Sequence, residues 1–225
     1  MKKKALKLDP EYLKPDKTRI IVSGLQNDFC HPRFVSRTNR EQNTKTAYKV
    51  NDFVSTAAKF GFEALYFQKI HDENNLTVRQ IKQIHYLQPD KIFCEAGTFG
   101  AEYFHINPPE DRGFIKNNID LWQTKQFIDY LDQNDVDTLI FIGNEIIRCI
   151  LYAVLGAYER GFCFALVKDL VSPFGFKRES KNILDIISKF YGPVVSSKEI
   201  LEAMENQSLK KRYQGTPINA SKVKV

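Results

Sequence analysis

The sequence contains no unbroken apolar run of about 18 residues, the length a membrane-spanning helix needs. Cysteine is scarce, and its four copies (Cys30, Cys94, Cys149, Cys163) stand far apart with no CxxC pair. That spacing supports neither a zinc ribbon nor a disulfide framework, and it reads as the cysteine usage of a reducing, cytoplasmic compartment. The four histidines, His31, His71, His85 and His105, show no ligand spacing, so neither a metal nor another cofactor is expected. The opening MKKKALKLDPEYLKPDK is basic but lacks the apolar stretch that would make it a secretory signal. Helix-turn-helix, zinc-finger and RNA-binding aromatic motifs are all missing, which leaves nucleic acid without support as a partner.

What is present is ordinary globular composition: 225 residues, 43% hydrophobic and 27% charged. The net charge of +6 is concentrated at the ends, with +4 in residues 1–19, +5 in residues 206–225 and −3 between them. This distribution predicts one domain over residues 18–205, a basic N-terminal extension (1–17) and a basic C-terminal tail (206–225).

Apolar runs alternate with helix-period segments along that domain. TRIIVSG at 18–24 reads as a buried strand closed by glycine, and residues 43–60 carry Ala47, Val50, Phe53, Val54 and Ala57 at helical spacing. A strand follows at 62–69, then a short helix near 76–84, a strand at Gly113–Lys116 and a helix at Thr124–Gln133. Asp137–Gly143 is a strand that leads into a helix striped with Ile146, Ile147, Ile150, Leu151, Val154, Leu155 and Tyr158 and stopped by Gly161. Strands at Phe162–Lys168 and Pro193–Val195, a helix at Glu179–Phe190, and a last helix capped by Ser196 or Ser197 complete the order. Strands separated by helices of this length imply an α/β fold: three layers, a mostly parallel, doubly wound (Rossmann-like) sheet, helices on both faces. In such sheets ligands bind at the carboxyl ends of the strands.

Two residues there carry chemistry. Cys149 lies six residues past Gly143, in GNEIIRC, where a helix begins. Unpaired N–H groups and the positive end of the helix dipole favour a thiolate at such a place and can hold an oxyanion. The alternative is a small cysteine packing helix against sheet. Lys116 ends GFIK; a cation there favours a nearby thiolate, while the alternative is a solvated lysine.

The motifs together resemble the isochorismatase-like hydrolase superfamily, which includes nicotinamidases, N-carbamoylsarcosine amidohydrolases and isochorismatases. The likeness runs from about Arg19 to Met204, through IIVSGLQNDFC (20–30), GTFGAEYF (97–104), FIKNNIDLW (114–122) and LIFIGNEIIRCILYAVLGAYERGF (139–162), and it closes with VKDLVSPF and PVVSSKEIL. It implies a catalytic Cys149 and Lys116, with a pocket around Gly24, Phe29, His71, Trp122, Asn144, Glu145 and Ile146. Relatives place an aspartate two residues before the glutamine of the Gln-Asn-Asp-Phe turn, to move the thiol proton and return it to the leaving amine. Gly24 occupies that position here, with Asp28 and Glu145 as candidate stand-ins, and Gly24→Asp is expected to restore or raise activity. Nicotinamidase-like members also hold a divalent ion with an Asp-x-His pair. Lys69-Ile70-His71 matches that stretch, so a lysine replaces the acid. Ile146 stands where many relatives carry threonine. The resemblance thus implies a cysteine hydrolase of a small amide- or ether-type substrate, weakened by the missing aspartate. The alternative is a non-catalytic relative that binds a small molecule or a protein. Assembly into a homo-oligomer is left open.

Overall fold

The computed structural model describes residues 4–35, 41–88, 91–173 and 175–214. Its centre is a six-stranded sheet in the order β3-β2-β1-β4-β5-β6, built from β1 (Thr18–Ser23), β2 (Glu63–Lys69), β3 (Gly113–Lys116), β4 (Thr138–Gly143), β5 (Cys163–Val171) and β6 (Val194–Val195). All five pairings are parallel, so the expected mostly parallel sheet is wholly parallel. The central strands β1 and β4 are buried along their entire length, and each has a continuous apolar middle, residues 20–22 and 139–142, because helices cover both faces.

Among the described residues, eight α-helices flank or connect the strands: α1 (Asn27–Cys30), α2 (Pro32–Val35), α3 (Glu41–Lys59), α4 (Val78–Leu87), α5 (Lys125–Gln133), α6 (Leu151–Glu159), α7 (Lys177–Phe190) and α8 (Ser197–Gln214). Strand side chains alternate between faces with period two. Ile20, Val22, Ile140, Ile142, Ala165 and Val167 therefore point to one layer, where they meet Val50 and Phe53 of α3 and Ile200 and Met204 of α8. Ile21, Leu65, Phe67, Phe114, Leu139, Phe141 and Leu166 point to the other, against Phe127 and Leu131 of α5, Val154 of α6 and Ile187 of α7. Ser196 and Glu199 cap α8 reciprocally: the Ser196 N–H donates to Glu199 Oε2 (2.7 Å) and the Glu199 N–H to Ser196 Oγ (3.3 Å).

Both basic ends touch the domain. The helix α8 runs to Gln214, inside the segment expected to be a tail. Within the expected extension, Leu13 is fully buried in the core, Gln207 Nε2 donates to the Pro10 carbonyl at 2.5 Å, and Lys210 pairs with Glu11 at 3.0 Å. Composition at the ends recorded charge, whereas the register of a few contacts between them determines which residues join the body. The rest of the basic C-terminal segment, 215–225, lies outside the described residues.

Candidate active site

Because every strand runs the same way, the ends of β1, β2, β3 and β4 open onto one edge of the sheet. Gly24 follows β1, Lys69 ends β2, Lys116 ends β3, and Cys149 comes six residues after the end of β4. The chain leaves β4 through a cis Asn144–Glu145 peptide and a single π-helical turn, Ile146–Ile150, before α6 begins. Cys149 sits in that turn, partly exposed, whereas Cys30 and Cys94 are buried. Burial holds the Cys94 thiol well above the ordinary range and pushes the Cys30 thiol up to about 12, so neither is a nucleophile at neutral pH.

Lys116 is buried and donates to the Ile119 carbonyl at 3.0 Å. Lys69 is its direct neighbour on the adjacent strand. The Lys69 ammonium is held below its usual pKa, first by burial and then by the positive charges of Lys116 and Arg148; the thiols of Cys94 and Cys149 act on it in the opposite sense. Lys116 and Cys149 thus each lie within electrostatic reach of Lys69. Sequence reasoning treated Lys69 only as the replacement for a metal ligand. The signal was present: Lys69 has the same strand parity as Leu65 and Phe67, and it ends its strand as Lys116 does.

The structure departs from the resemblance at Gly24. Gly24 has φ +68, and a Cβ there would stand 2.5 Å from the Asn144 carbonyl oxygen. Asn144 is buried at the point where strand order reverses; its N–H donates to Ser23 O (2.7 Å) and its Nδ2 to Gly24 O (3.2 Å). The room for an aspartate is taken by the neighbouring loop, so the expected rescue by Gly24→Asp is corrected: the substitution meets backbone. Each candidate stand-in is engaged in an ion pair. The buried Asp28 carboxylate accepts from the Cys94 N–H (2.7 Å) through one oxygen and from Lys91 through the other. Glu145 Oε1 lies 3.3 Å from Arg148 Nε.

The remaining expected pocket residues divide. His71 is buried, and burial followed by the nearby Lys69 charge lowers its pKa, so the ring is neutral at neutral pH. Phe29 stacks on Phe93, with centroids 6.0 Å apart, and packs against the α3 layer. Two of them pack into the core. Trp122 is a core residue: its Nε1 donates to the Ala153 carbonyl (3.0 Å) and its ring lies among Phe127, Phe162 and Arg160. Ile146 is buried in the same cluster, with its N–H on the Ser172 carbonyl (3.1 Å). An aromatic residue six places after a lysine is compatible with pocket or core, and only its neighbours settle which. A divalent ion does not fit where Lys69 stands, since an ammonium already surrounded by cations repels it. Among the described residues, no three His, Cys, Asp or Glu side chains gather into a metal site.

A wholly parallel sheet in this strand order, covered by helices on both faces, defines a doubly wound α/β fold. An isochorismatase-domain model matches residues 18–199, and the chain belongs to that family. The structure is similar to a cysteine hydrolase from Pseudomonas syringae pv. phaseolicola, with a TM-score of 0.78 and 19% identity over 92% of this chain and 100% of that one. It is also similar to N-carbamoylsarcosine amidase from Thermoplasma acidophilum (TM-score 0.64, 20% identity, 80% of this chain and 96% of that one). Nicotinamidase/pyrazinamidase from Bacillus subtilis is a third likeness (TM-score 0.68, 16% identity, 80% and 99%). At such identities these likenesses establish the fold. Comparison with curated proteins gives no match.

Proposed function

We propose that the protein is a slow cysteine hydrolase of small amide- or ether-type molecules, with Cys149 as nucleophile and Lys116 as its cationic partner. The observation that carries this reading is the joint placement of a partly exposed Cys149 and a buried Lys116 around the same Lys69 charge, on the edge where parallel sheets bind ligands. On an amide, the Cys149 sulfur forms a bond to the carbonyl carbon and the C–N bond breaks. The amine leaves with a proton, and water then cleaves the thioester. With Gly24 in the aspartate position, the carboxylate that relatives use to carry that proton is missing, a loss that typically costs about 10²–10⁴ in rate.

The packing of Asn144 against Gly24 favours a second reading, a relative that binds such molecules without turning them over. Ammonia release from nicotinamide, pyrazinamide and N-carbamoyl amino acids, measured for wild type, Cys149→Ala and Lys116→Met, separates the two. The hydrolase reading expects slow release that disappears in Cys149→Ala. Release that survives Cys149→Ala sinks that reading. So does no release from a wild type that the same amides stabilise thermally, and that outcome supports the binding protein.

A further inference from the structure

Lys69 and Lys116 are register partners on adjacent parallel strands, the last residues of β2 and β3. Their parity with Leu65, Phe67 and Phe114 puts both on the sheet face covered by α5 and α6, the side on which Cys149 precedes α6. Like charges directly opposite each other on one face destabilise a sheet. Here the opposition is built in firmly. Gln26, itself buried, accepts from the Lys69 N–H through Oε1 and donates to the Lys69 carbonyl through Nε2, both at 2.7 Å, which locks the end of β2. Among the described residues no salt bridge joins a carboxylate to Lys69 or Lys116, and the two buried acids pair with other cations, Asp28 with Lys91 and Glu145 with Arg148. Two adjacent ammonium groups beside a thiol, both largely withdrawn from water, are a site short of negative charge.

We propose that Lys69 is a specificity-determining residue that, with Lys116, seats an anionic group of carboxylate size next to Cys149, so that the site selects small amides carrying a carboxylate. The Lys69 pKa, lowered first by burial and further by Lys116 and Arg148, agrees with this, since a bound anion would offset the cost of a charged Lys69 there. The assignment deepens the hydrolase reading and uses the same cysteine, but it does not depend on turnover.

Two measurements test it. In the first, iodoacetate (anionic) and iodoacetamide (neutral) compete for the protein, and labelling is read at each cysteine by mass spectrometry. The iodoacetate-to-iodoacetamide rate ratio at Cys149 is expected to exceed that at Cys163 about tenfold and to shrink with added salt. Lys69→Gln should bring the ratio down to the Cys163 value, while Lys69→Arg keeps it. A Cys149 ratio equal to that of Cys163, or unmoved by Lys69→Gln, overturns the proposal. The second works in a Cys149→Ala background and needs no reactive thiol. Succinamate should raise the melting temperature more than the uncharged succinamide, and adding Lys69→Gln should abolish the difference. Equal shifts from the two compounds overturn the proposal even if amides are hydrolysed. A succinamate-specific shift in a protein that hydrolyses nothing sinks only the hydrolase reading.

Discussion

Gly24 shows how much one position can control. A residue with a side chain is strained at φ +68, and here the added Cβ would also meet the Asn144 carbonyl, which belongs to the loop carrying Cys149. Gly24→Ala is expected to cost about 1–3 kcal/mol of stability, read from urea midpoints. Gly24→Asp should be destabilised at least as much and gain no amidase activity. A midpoint unchanged in Gly24→Ala would show that the Asn144 loop yields freely, and the space for an acid would then exist after all. At the same scale, Lys69 reads only as the replacement for a metal-ligating acid until its register partner Lys116 is known.

At the scale of elements, α6 and the turn before it determine where Cys149 stands. The helix is pressed against the Leu121–Gln123 turn by Trp122, whose indole occupies the space where a Cβ on Gly156 would fall. Gly156→Ala overfills that contact and is expected to destabilise by about 1–3 kcal/mol. Because the two residues touch, Gly156→Ala combined with Trp122→Phe should cost less than the sum of the single changes. Strict additivity in thermal unfolding would mean that the helix slides away and that this contact does not set its position. The π-helical turn has the same consequence for reading sequence. It inserts between β4 and α6 a geometry that a run of apolar residues at helical spacing does not announce.

At the scale of the whole molecule, folding places cations and a neutral imidazole together at the carboxyl edge of the sheet, and stability should report this. The folded-state pKa of His71 lies below its ordinary 6.5, through burial and the nearby Lys69. The unfolded chain therefore takes up this proton more readily, and the contribution of a neutral His71 is complete above pH 6.5 and declines as pH falls towards the folded-state value. The exposed carboxylates Asp135 and Glu199, whose pKa values are lowered from 3.8 and 4.5, act below this window. Chemical denaturation between pH 7.5 and 5 should show wild type losing stability with acid and His71→Gln losing less. Parallel slopes for the two proteins would place the acid sensitivity on another group.

The sequence by itself determined the strand and helix order, the parallel sheet, and the residues at strand ends, because these follow from local periodicity and from glycines such as Gly143 and Gly161. It also carried the family's motifs, and with them the candidate roles of Cys149 and Lys116. Only the tertiary structure decided what surrounds those residues. Whether Gly24 leaves a vacancy depends on Asn144, far along the chain. Whether Trp122 lines a pocket depends on α6, and whether Lys69 matters depends on its strand neighbour Lys116. Periodicity encodes which face a side chain takes, but contacts between distant segments depend on register and packing, which no local pattern contains.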